Sequence, residues 1–133
     1  MAVPDSPVEQ AKRQFGVLVG VYLMVAHADG EFSKVEEVGV RLGVMRDWRP
    51  AGLTDAECDA IYGKLESGFR ANPDKASARI LAEVEAFRGN GIVRRAVVET
   101  ARKALAADRL AKPQEDYALS RLAAALGLRE SEI

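Results

Sequence analysis

Residues 15–28 form the most apolar run of the chain, and it stops abruptly at Asp29-Gly30. The run is broken by His27 and is shorter than the ~20 residues needed to cross a bilayer, so it predicts a core helix, not a membrane span. After the stop comes Glu31-Phe32, then Ser33-Lys34-Val35-Glu36, a hydroxyl followed three residues later by a glutamate. That spacing is a capping box, in which the serine oxygen accepts from the third backbone N–H and the glutamate reaches back to the serine N–H. The chain therefore has to turn at Asp29-Gly30 and enter a second helix whose apolar face runs through Val35, Val38, Leu42 and Met45.

The same punctuation recurs along the chain. Ser6-Pro7-Val8-Glu9 predicts the start of the first helix, with Val8, Ala11, Phe15, Leu18, Tyr22 and Val25 on its inner stripe. Thr54-Asp55-Ala56-Glu57 opens a third helix with Cys58, Ile61, Tyr62, Leu65 and Phe69 inward, and Asn72-Pro73 opens a fourth with Ala76, Ile80, Val84 and Phe87 inward. Gly89-Asn90-Gly91 breaks the chain before a fifth helix over residues 92–107, in which Val93, Val97, Thr100 or Ala101, and Ala104 face the core. Pro113 begins a sixth, carrying Leu119, Leu122 and Leu126, which Gly127 terminates. No alternating run is long enough for a strand, so the fold class is all-α. Gly16 and Gly20 lie four apart on one helical face, and Gly39 and Gly43 repeat the spacing. Glycine costs a helix about 1 kcal/mol relative to alanine, so the two pairs predict a close crossing of the first and second helices.

At 133 residues and 48% hydrophobic content the chain is the size of a single domain, 1–133, with its own core. The net charge of −1 gives no overall pull towards nucleic acid or an acidic membrane. The halves differ: residues 1–66 carry seven basic and eleven acidic side chains, net −4, and residues 67–133 carry twelve and nine, net +3. The asymmetry fits either docking of the halves or helix faces that are simply solvated. Cys58, the only cysteine, rules out an internal disulfide and a cysteine-rich zinc site, and it reads as a small buried apolar residue. With no basic-then-apolar leader at the N-terminus, the expectation is a cytoplasmic protein. One histidine and one cysteine make a nucleophile triad implausible, and no enzymatic activity is expected.

A shift of 79 residues superposes Ala28-Asp29 on Ala107-Asp108 and Glu36-Glu37 on Glu115-Asp116. The repeated unit, apolar helix, acidic turn, apolar helix, predicts a pseudo-two-fold bundle of about six to seven short helices. Asp29, Glu31, Glu36, Asp108, Glu115 and Asp116 are the candidate metal ligands, because carboxylate oxygens suit Ca²⁺, Mg²⁺ or Mn²⁺. An EF-hand is excluded: with Asp29 first, Lys34 would stand at the obligatory glycine and Val40 at the bidentate glutamate. A competing reading assigns these acids to capping alone, which accounts for Glu36 but not for Glu115, since Lys112 stands where the capping hydroxyl would be. His27 reads as a hydrogen-bonded side chain near a helix end more readily than as a ligand.

Arg95, Arg102 and Arg109 recur every seven residues, with Arg94 and Lys103 beside them. Aromatic residues amount to 6% and are not interleaved with the stripe, so no nucleic-acid partner is expected. Arg95 and Arg102 read as a solvated face or a contact for an acidic protein partner. Trp48, between Asp47 and Arg49, is either a partner-binding anchor or a plug between helices.

The residues Ala26-His27-Ala28-Asp29-Gly30-Glu31-Phe32-Ser33-Lys34-Val35-Glu36, the stretch from Ala106-Ala107-Asp108 to Glu115, and the closing Leu126-Gly127-Leu128 resemble the TerB-like helical domain, a family named for a tellurite-resistance protein and also found at the front of DjlA co-chaperones. The resemblance spans roughly residues 10–128. It departs from the first motif in the second, where Arg109 replaces the glycine after the aspartate. It implies a bundle of about seven short helices in a bacterial stress-linked or tellurite-response protein that is not an enzyme and whose acidic turns bind a cation.

Overall fold

A helical stretch that is apolar on every side has to be enclosed on every side, and the second half of helix α1 (Pro7–Ala26) is. In the computed structural model, which describes residues 7–27, 52–108 and 113–129, Phe15 and every residue from Val17 through Val25 are buried. The helices around α1 are α2 (Asp55–Ala71), α3 (Pro73–Ala86), α4 (Gly91–Asp108) and α5 (Pro113–Leu126), and α1 packs against all four. The described residues hold no strand, so the class is all-α as expected. Five helices are described against the six to seven expected; the second, opened by Ser33 and Glu36, and with it Gly39 and Gly43, lies outside the described residues. No described helix is long and apolar enough to cross a membrane.

Cross-links fix the direction of each helix. Lys12 Nζ lies 3.3 Å from Glu57 Oε2 near the start of α2, Gly16 faces Ile61, and the His27 ring stacks on Phe69 near the end of α2 with centroids 5.7 Å apart. Thus α1 and α2 run the same way. Asn72 then reverses the chain alone: its N–H donates to Gly68 O at 2.9 Å, ending α2, and its Oδ1 accepts from Lys75 N at 3.1 Å, starting α3. Accordingly α3 runs back along α1, with Ile80 against Gly20, and near its end Glu83 accepts from Arg13 at 3.2 Å while the Arg13 guanidinium lies over Phe87.

Asn90 caps α4, its Oδ1 accepting from Ile92 N at 3.1 Å and Val93 N at 3.2 Å. Starting where α3 ends and packing along α1, α4 runs in the same sense as α1. It buries Val93, Val97, Thr100, Ala101 and Ala104, and the Thr100 hydroxyl donates to Ala96 O at 2.8 Å, which leaves no polar orphan in that seam. Helix α5 buries Leu122, Ala123 and Leu126 and ends in a Schellman motif: Leu128 N–H donates to Ala123 O, Gly127 N–H donates to Ala124 O, and Gly127 takes φ +71°. The Arg88 guanidinium, just after α3, lies against Gly127. The C-termini of α3 and α5 therefore share one end of the bundle, and the C-termini of α1, α2 and α4 share the other.

One expected inner residue is misplaced. Val8 is 43% exposed, because it lies in the first turn of α1, before Lys12 and Arg13, where the contacts with α2 and α3 begin. Of the glycine pair, Gly20 takes a close neighbour among the described residues, an isoleucine of α3. A Cβ on Gly20 would sit 2.7 Å from Ile80 Cγ1 and closer still to Cδ1, whereas one on Gly16 would sit an ordinary 3.7 Å from Ile61 Cγ2.

Two predictions follow from this packing. Gly16→Ala gains helix propensity without a clash and should stabilise by up to about 1 kcal/mol, whereas Gly20→Ala should destabilise by about 1–3 kcal/mol through overpacking. Adding Ile80→Val, which removes Cδ1, should recover part of the Gly20→Ala loss in urea titrations; equal effects of the two alanines would contradict the packing. At the start of α2, Thr54 N–H and Oγ1 both donate to Glu57 Oε1 at 3.0 Å, and Glu57 N–H donates to Thr54 Oγ1 at 3.1 Å. The Thr54 backbone and hydroxyl donors, aided by Lys12, hold the Glu57 carboxyl below its ordinary value of 4.5. A carboxyl depressed in the folded state adds stability that is complete above the ordinary value and lost as the pH falls through the lowered one. The stability deficit of Glu57→Gln should therefore be full at pH 7 and vanish in strong acid, when measured by urea titration across pH 2–7.

Candidate functional site

At the end where α1, α2 and α4 finish, α3 and α5 begin, and the sequence leads from here into the two acidic motifs, after His27 and at Asp108. The first starts two residues beyond His27. That residue is half-buried at the end of α1, where its N–H donates to Leu23 O at 2.8 Å and its ring lies face to face with Phe69 at 15°. This packing gives the histidine a structural place through its ring. Asp29, Glu31 and Glu36 themselves, and Trp48, lie outside the described residues.

The second motif is described along its backbone. Asp108 is the last residue of α4, one residue beyond the expected helix end, and Glu115 and Asp116 occupy the third and fourth positions of α5 after Pro113. Their side chains are not among those described. Helix position nevertheless divides them. Glu115 and Asp116 sit where the positive end of the α5 dipole favours an anion by about 0.3–1 kcal/mol, so stability alone accounts for them. Asp108 sits at the negative end of α4, where a carboxylate is disfavoured by a similar amount. It also stands four residues before Lys112, the position that immediately precedes α5. The helix dipole therefore accounts for Glu115 and Asp116 but not for Asp108. Among the described residues there is no group of three or more His, Cys, Asp or Glu side chains that could hold a metal.

Arg95 and Arg102 lie exposed on α4, as do Arg94 and Lys103. Arg94 and Arg95 line an open groove at the start of α4 with Gly89, Ile92 and Leu128, and Ile92 is 84% exposed. Cys58 is completely buried, which bears out its reading as a core residue.

One concavity was not anticipated. Between α2 and α3 lies a cleft of about 350 Å³ with Leu65, Phe69 and Ile80 in its wall and Lys64, Lys75 and Arg79 around it. Its sequence signal is the pair of four-residue spacings, Lys64 to Gly68 and Lys75 to Arg79, which set each pair on one helix face. Only the reversal at Asn72 turns those faces towards each other.

No family model, curated protein or solved structure matches this chain.

Proposed function

We propose that the chain is a TerB-like, non-enzymatic binding module that takes a divalent cation of the Ca²⁺, Mg²⁺ or Mn²⁺ class between its two acidic turns. Asp29, Glu31 and Glu36 come from one turn and Asp108, Glu115 and Asp116 from the other. The observation that carries the reading is the shared sense of α1 and α4. Helix α4 closes on Asp108 at the end of the bundle where α1 also closes, and two peptide steps, at most about 7.6 Å, separate Asp29 from His27. Hard cations want six or more oxygens, more than either turn offers alone, so a site assembled from both halves suits their chemistry. The cost of Asp108 at a helix C-terminus supports the same reading, because a bound cation reverses the sign of the local field.

A second reading, protein docking without metal, is favoured by the exposed Ile92 beside Arg94 and Arg95. There the acids only cap helices, and Arg95, Arg102 and Trp48 meet an acidic protein partner.

Titration calorimetry of the protein with Ca²⁺, Mg²⁺ and Mn²⁺ separates the two. The cation reading predicts saturable heat with at least one ion and a stability gain of about 2.7 kcal/mol at a hundredfold excess over Kd, both lost in Asp29→Asn/Asp108→Asn. No heat, with no change in stability on adding EDTA, contradicts it.

A further inference from the structure

We propose that the cleft between α2 and α3 binds a small amphiphile with a carboxylate head, a medium-length acyl carboxylate being the simplest form. This site is separate from the acidic turns and does not depend on them. The cleft has the volume of a small-ligand pocket, about 350 Å³. Its apolar wall is Leu65 and Phe69 from α2 and Ala76 and Ile80 from α3. The three charged residues lining it, Lys64, Lys75 and Arg79, are all cationic and exposed, and none of them carries an ion pair among the described residues. Glu66, the nearest acid along α2, is taken by Arg70.

This combination selects the ligand. An inorganic anion would leave the apolar wall unused, and a neutral hydrocarbon would leave three cations without a counter-charge. A chain with a terminal carboxylate satisfies both, laying its methylenes along Leu65 and Ile80 while the head accepts hydrogen bonds from Lys75 and Arg79, an arrangement that charge assistance strengthens. Lys75 also lies in the first turn of α3, where the helix dipole favours an anion.

Gly68 makes the site testable without disturbing the fold. It lines the cleft, its backbone is ordinary helix, and a Cβ there would meet nothing within 4 Å. Gly68→Leu should therefore leave the protein folded and fill the space. The experiment titrates the full chain with decanoate below its micellar concentration, and with decanol as the uncharged counterpart, by calorimetry. One-to-one binding of decanoate is expected, weakened about tenfold in Lys75→Gln/Arg79→Gln as charge-assisted bonds are lost. Decanol should bind both proteins equally, and Gly68→Leu should bind neither compound while its melting temperature stays at or above that of the unmodified protein. Absence of decanoate binding, or equal binding by Gly68→Leu, overturns the proposal.

Discussion

The structure depends on enclosing α1. From Phe15 to Val25 this helix offers a neighbour no polar side, so its burial cannot be completed by one partner, and α2, α3, α4 and α5 each cover part of it. The fit is closest where Ile80 of α3 enters the space above Gly20. There a missing side chain on one helix is filled by a branched one on the next, which is how interiors reach crystal-like density without strain. Losing the central aromatic of this helix, Phe15, which is wholly buried, would remove contacts shared by the whole core, at a cost of about 3–5 kcal/mol.

Enclosure also orders the ends. Around the end where α3 and α5 finish, the chain satisfies its own polar groups locally: Glu57 closes the box with Thr54, Asn90 caps α4, and Gly127 closes α5 under the Arg88 guanidinium. At the opposite end Asn72 serves two helices at once, yet Asp108 is set against the dipole of the helix it ends. A residue placed at an energetic disadvantage in an otherwise well-capped bundle is where a function is worth seeking. The cationic α2–α3 cleft lies near this end too, and its charge is opposite to that of the acidic turns.

Much of this was legible in the residue order. Thr54-Glu57, Asn72-Pro73, Gly89-Asn90-Gly91, Pro113 and Gly127 mark the described helix ends, because capping is a local interaction within four residues. The stripes of α2 and α4 were readable for the same reason: one face is apolar and the other is not. In α1 the stripe understated the burial. Val17, Val19, Val21 and Leu23 lie off it and are still buried, since periodicity cannot reveal how many neighbours surround a helix that is apolar all round. The glycine spacing foretold the close contact at Gly20, where Ile80 fills the notch; Gly39 and Gly43, the expected partners of the pair, lie outside the described residues. The α2–α3 cleft was illegible because it exists only after Asn72 folds two faces together. Of the candidate site, only the helix ends at Asp108 and Pro113 compare with the expected ones, whereas Asp29, Glu31 and Glu36 lie outside the described residues.

The most direct measurement is paramagnetic relaxation of the amide spectrum on adding sub-stoichiometric Mn²⁺. A cation shared by the two acidic turns broadens the amides of His27, Asp108 and Glu115 together and leaves Asn90 and Gly127, at the far end, sharp. Broadening at only one of the two turns, or spread evenly over the exposed acids, contradicts a site assembled from both halves.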